Sequence, residues 1–276
     1  MLKRLPRLSK LSLIMEKCSK GYDHLVDCAA KLHNLRRLSI KLNSLCNFEA
    51  HPEINSVAKI IAANPKLTHL EVSYGNNQDL AETLRHLPAD PPLKLEHLGL
   101  SQCLHSPVAL APHISSLTSI DIVNSNILDE LLKQNVFPPT MTFWTMDQYT
   151  INYLNRHPRI VSLTNYSCDD ASACSALSGI LSRHSETLTH LGFSHWVLYN
   201  CINQTQNELE ILQCTNLKQL LVDYQSIPTW RVFVSGLQRV SSTLSAHPRH
   251  VPNATLTGKD VVSNFSPSGL SHIGCQ

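Results

Sequence analysis

The sequence predicts an α/β solenoid in which short strands and helices alternate, the strands forming a parallel sheet on the concave side and the helices lining the convex side. Three observations predict it. A pattern L-x-x-L-x-L recurs along the chain, clearest in "LRRLSIKL" from Leu35 to Leu42. Segments between the copies carry apolar residues at helical spacing, and several of those segments stop at a proline just before the next copy. Self-similarity at a fixed period marks a stack of supersecondary units, none of which can bury its own leucines alone.

The strands are taken first. Core positions one, four and six of the pattern are Leu8, Leu11 and Leu13; Leu35, Leu38 and Ile40; Leu67, Leu70 and Val72; Leu95, Leu98 and Leu100; Leu117, Ile120 and Ile122. Further along they are Leu188, Leu191 and Phe193, then Leu217, Leu220 and Val222. Two weaker copies are Met141, Trp144 and Met146, and Ile160 and Leu163 with Asn165 in the third apolar slot. Eight residues after the first leucine, Asn43, Cys103 and Cys168 supply a side chain suited to satisfy backbone groups where the strand turns away.

Between strands, "HPEINSVAKIIAANP" places Ile54, Val57, Ile60 and Ile61 on one helical face and ends at Pro65. "DQYTINYLNRHP" ends at Pro158 in the same way, and "DASACSALSGILSRHSE" opens on Asp170 as an N-cap before Cys174, Leu177, Ile180 and Leu181. Stacking eight to nine such units gives a solenoid over residues 1–247. A helix over 227–247, with Val232, Phe233, Leu237, Val240 and Leu244 at helical spacing, closes its C-terminal end. Residues 248–276 turn to Pro, Ser, Gly, His and Asn without a repeat frame, and a poorly ordered tail is expected. Nothing ahead of Leu5 covers the first repeat, which points to a missing N-terminal module.

The period, about 20 to 30 residues, and the L-x-x-L-x-L-x-x-N/C core resemble a leucine-rich repeat protein of the ribonuclease-inhibitor-like class, which implies a horseshoe. "NRHPRIVSLTNYS", "LHNLRRLSI" and "SETLTHLGF" resemble the repeat half of fungal F-box proteins. That resemblance implies substrate recognition within a ubiquitin ligase. No F-box pattern is found, because Leu5-Pro6 leads straight into a repeat, so docking on the ligase adaptor is implied only if an F-box is supplied elsewhere. The alternatives are a regulator of an enzyme or GTPase, inhibitor or activating protein, on the same fold, and a truncated product without independent function.

Strand alternation sends positions three, five and seven out to the concave surface. Position three reads Lys10, Arg37, His69, His97, Ser119, Phe143, Ser162, His190 and Gln219; Glu71 and Lys41 fall at five and seven. The face is basic in the first two repeats, mixed in the middle, and uncharged with aromatic tips towards Tyr166, His195 and Tyr224. It suits a protein or peptide ligand, acidic where it meets the basic end. The residues expected to touch it are Arg37, Lys41, His69, Glu71, His97, Phe143, Tyr166, His190, His195 and Tyr224.

No catalytic residue, metal ligand or cofactor is assigned. His69 and His97 on adjacent strands with Glu71 near them are three zinc-type donors, but no HExxH or Cys-His cluster supports them and an open sheet offers no shielded cavity. GxSxG, GxGxxG and GxxxxGK are all absent. A formal charge of +2 gives no global basic field for nucleic acid, and no apolar run approaches the 18 or so residues that span a membrane. The nine cysteines include no CxxC pair and are expected to be reduced, mostly buried thiols. A cytoplasmic or nuclear monomer is expected.

Overall fold

A computed structural model describes residues 8–15, 28–42, 53–74, 92–100, 107–123, 125–168, 171–194, 213–223 and 253–257, together with 197, 201 and 211. The chain divides into two compact units, 1–138 and 139–276, and each is α/β with a parallel sheet.

In the first unit the strands are β1 (Lys10–Met15), β2 (Arg37–Leu42), β3 (His69–Tyr74), β4 (His97–Leu100) and β5 (Ser119–Ile122). They lie side by side in sequence order, each parallel to the next. Helix α1 (Glu53–Ala62) connects β2 to β3, a 3-10 helix (Pro107–His113) lies between β4 and β5, and α2 (Asn126–Lys133) follows β5. The second unit repeats the plan with β6 (Thr140–Phe143), β7 (Ser162–Asn165), β8 (His190–Ser194), β9 (Gln219–Asp223) and β10 (Asn253–Thr257), again parallel neighbours in sequence order. Its helices are α3 (Gln148–Arg156) and α4 (Ala171–His184). Among the described residues no helix is long and apolar enough to cross a membrane.

The core follows from strand alternation. Positions four and six point inward, so Leu38 and Ile40, Leu70 and Val72, Leu98 and Leu100, and Ile120 and Ile122 are all buried, each side chain contributing roughly 1.5–3 kcal/mol of burial. Helix faces complete it. Val57, Ile60 and Ile61 of α1 and Cys174, Leu177, Ile180 and Leu181 of α4 are buried, the faces expected from the sequence. In α3 the Asp147 carboxylate accepts from Thr150 N–H at 2.9 Å, an N-cap, while Ile151, Tyr153 and Leu154 turn inward.

One backbone device recurs in both units. A carbonyl just ahead of a strand accepts two successive N–H groups of the next strand: Ser9 from Arg36 and Arg37, Arg36 from Thr68 and His69, Thr68 from Glu96 and His97, Glu96 from Thr118 and Ser119. Pro139, Val161 and Thr189 do the same in the second unit. A second device is a buried polar side chain near the end of three of the helices. Asn64 donates to Leu32 O at 2.8 Å and Ile60 O at 2.7 Å and accepts from Leu35 N at 2.8 Å; His113 Nδ1 accepts from Leu93 N at 2.9 Å. His184 Nε2 lies 3.4 Å from Leu154 O. Each reaches the backbone of the preceding strand-helix unit and thereby ties two units together.

Two expectations need correction. Phe143 does not face outward: it is 1% exposed, because the repeat starts at Pro138. Met141 pairs with Leu163 and Phe143 with Asn165, which makes Met141 and Phe143 positions four and six. Trp144, placed in the core by the leucine template, takes the outward seventh position and is 50% exposed. Second, Cys174 and Cys201 are joined in a disulfide rather than reduced. Within residues 248–276, Asn253–Thr257 is a strand in register with β9, Ala254 opposite Leu220 and Leu256 opposite Val222. The helix over 227–247 lies outside the described residues, as do Asn43, Cys103 and Asp170.

Candidate binding face

In the first unit the outward residues line up by register. Lys10, Arg37, His69, His97 and Ser119 are successive partners across β1 to β5, and Ser12, Ser39, Glu71, Gly99 and Asp121 form the parallel column two residues on. Lys10, Arg37 and Lys41 are exposed, while His69, Glu71, His97 and Asp121 are half-buried. The charge therefore runs from basic on β1 and β2 to a mixed histidine and carboxylate group on β3 to β5.

That group is linked laterally by hydrogen bonds and one ion-pair approach. Ser39 Oγ donates to Glu71 Oε2 at 2.8 Å, Glu71 Oε1 lies 3.5 Å from His97 Nε2, and His97 Nδ1 lies 3.1 Å from Ser119 Oγ. The His69 and His97 rings have centroids 5.8 Å apart. Gly99 makes this lateral reach possible. A Cβ there would stand 2.9 Å from Glu71 Cγ, so only glycine lets the Glu71 side chain lie across β4 towards His97. Burial, with Arg37 and His97 nearby, holds His69 below the usual histidine range, against the pull of Glu96 and Glu71. Burial pushes the Asp121 carboxyl up; Glu71 adds to that, while His97 and Lys41 oppose it.

Each of the two outward histidines is held by the threonine before it. Thr68 Oγ1 lies 3.3 Å from Arg36 O and 2.8 Å from His69 Nδ1. Thr189 Oγ1 repeats this geometry, to Val161 O at 3.1 Å and His190 Nδ1 at 2.8 Å. The Thr-His pair of the recurring "LTHL" is thus a structural rung that fixes the ring through Nδ1, and His190 belongs to the second unit rather than to the His69–His97 pair.

Ser119, His97 and Glu71 line up as hydroxyl, imidazole and carboxylate across three strands. The N–H groups of His97 and Ser119 are taken by Thr68 O and Glu96 O, so these two strand amides are not available to hold a developing oxyanion.

In the second unit the face is uncharged over β6 to β8. It reads Thr140, Thr142 and Trp144; Ser162, Thr164 and Tyr166; His190, Gly192 and Ser194. Trp144 and Tyr166 stack with centroids 5.0 Å apart at 32°. Trp144 is an outward aromatic residue that sequence reasoning missed. The signal was a proline in the first-position slot at Pro138, which an all-leucine template passes over. His195 and Tyr224 lie outside the described residues. The chain matches no known family model, and no curated protein is significantly similar to it.

Proposed function

We propose that this chain is a leucine-rich repeat protein of the ribonuclease-inhibitor-like class, a non-catalytic recognition scaffold that binds a protein or peptide on the outward face of its sheets. The observation that carries this reading is the register-aligned column Lys10, Arg37, His69, His97 and Ser119, with Glu71 and Lys41 beside it. Such columns present fixed, evenly spaced side chains to an extended ligand, about 4.8 Å apart from strand to strand. The exposed Arg37 and Lys41 attract acidic side chains, and the stacked Trp144 and Tyr166 supply a rigid aromatic anchor of the kind that dominates protein interfaces.

The resemblance to the repeat half of fungal F-box proteins casts the bound protein as a ubiquitin-ligase substrate, with the adaptor recruited through an F-box supplied elsewhere. Capture from a cell extract tests the reading. The double variants Arg37→Glu with Lys41→Glu, and Trp144→Ala with Tyr166→Ala, are compared with wild type and with Glu186→Ala, an exposed change off the face. Each double variant is expected to lose at least tenfold of a shared set of captured proteins, as hot-spot residues do. An unchanged set in both defeats the proposal.

A further inference from the structure

Three cysteines converge in the second unit. Cys168 follows β7, Cys174 lies in the first turn of α4, and Cys201 comes after β8. Cys174 and Cys201 are joined by a disulfide while Cys168 keeps its thiol, and the three sulfurs lie within 4.8 Å of one another. All three are buried, at 5%, 2% and 0% exposure. Asn165 Nδ2 donates to Cys168 Sγ at 3.1 Å, a contact that a thiolate accepts more strongly than a thiol.

We propose that Cys168, Cys174 and Cys201 form an internal thiol–disulfide exchange site. The Cys168 thiolate attacks Cys174 Sγ; the Cys168–Cys174 bond forms as the Cys174–Cys201 bond breaks, and the electron pair leaves on Cys201. Cys201 then takes up the proton that Cys168 gave up. Attack on Cys201 instead gives a Cys168–Cys201 bond and a Cys174 thiol. One disulfide and one thiol are present before and after, so no outside oxidant or reductant enters. Burial favours this route, since a reductant in solution reaches these sulfurs only when the site opens, whereas Cys168 is already beside them.

The isomers differ in what they hold. The Cys174–Cys201 bond spans 27 residues and ties α4 to the segment that follows β8. A Cys168–Cys174 bond closes between the end of β7 and α4 and leaves Cys201 unlinked. Moving one bond therefore decides whether that following segment is anchored to α4.

The test uses the full chain, oxidised with oxidised glutathione, alkylated in acid, digested and mapped by mass spectrometry. Wild type is expected to yield Cys174–Cys201 together with a second isomer containing Cys168, which appears faster as the pH of incubation is raised. Cys174→Ala is expected to give Cys168–Cys201, and Cys201→Ala to give Cys168–Cys174. The proposal is overturned if Cys168 stays a thiol in both variants and in wild type at every pH. It is overturned equally if reduced wild type holds one zinc through all three sulfurs and resists oxidation. Should a variant fail to fold by circular dichroism, the rate at which the second isomer appears in wild type as the pH is raised decides alone.

Discussion

At the scale of single residues, small side chains and buried amides carry the geometry of the face. Gly99 is the clearest case. Its missing Cβ is what lets Glu71 lie across β4 between Ser39 and His97. Gly99→Ala is expected to destabilise the protein by about 1–3 kcal/mol through overpacking. In a Glu71→Ala background the same change should cost little or become favourable, because alanine is otherwise a better strand residue than glycine. Urea unfolding of the four proteins of this cycle gives the coupling, and strict additivity would contradict the contact. Asn64 offers a second test. It satisfies Leu32 O, Ile60 O and Leu35 N from one buried amide, so Asn64→Ala leaves three backbone groups short of a partner. A loss of about 2–4 kcal/mol is expected, from the cost of unsatisfied buried groups, measured as a fall in urea midpoint. Gly99 and Asn64 were both visible as letters. Their roles were not, since each depends on what the neighbouring strand-helix unit places opposite them.

At the scale of elements, the alternation of core and outward positions was legible wherever leucine, isoleucine or valine filled the pattern. Arg37, Lys41, His69, Glu71, His97, Tyr166 and His190 fall on strands or strand ends at the outward positions their spacing implied. The pattern failed at β6. There "MTFWTM" offers Met141, Trp144 and Met146 at a spacing that also satisfies L-x-x-L-x-L, while the true first position is a proline. Two phases three residues apart compete, and hydropathy alone cannot separate them because Phe143 and Trp144 are neighbours of similar apolar character. The pairing of Phe143 with Asn165 decides it, and mutation tests the decision. Phe143→Ala is expected to cost about 3–5 kcal/mol, the range for a buried aromatic. Trp144→Ala should cost under about 1 kcal/mol, as a half-exposed surface position does. Thermal or urea unfolding of both variants checks this, and the reverse order of costs would restore the other phase. The strand Asn253–Thr257 was hidden for a related reason: Ala254 fills a slot where the template seeks leucine.

For the molecule as a whole, the buried histidines set how stability responds to acid. Among the described residues, buried His113 in the first unit and buried His184 in the second have a lowered proton affinity, chiefly by burial, as has half-buried His69. His113 has a geometric reason as well. Its Nδ1 accepts from Leu93 N–H, so protonating that nitrogen breaks the bond tying the chain ahead of β4 to the 3-10 helix. A histidine whose folded value lies below its unfolded value of about 6.5 leaves the unfolded chain binding more protons as the pH drops through that range. Stability is therefore fully present above about pH 6.5 and declines as the pH falls towards the depressed folded values. Two such groups in two units make the decline a property of the entire chain rather than of one site. The urea midpoint is expected to fall between pH 7 and pH 5. His184→Gln is expected to make that fall shallower while lowering stability at pH 7, because glutamine retains a donor for Leu154 O but has no proton to take up. An equal fall in wild type and in His184→Gln would remove His184 from the acid response. A midpoint that stayed level from pH 7 to pH 5 in wild type would show that neither histidine is held neutral by the fold.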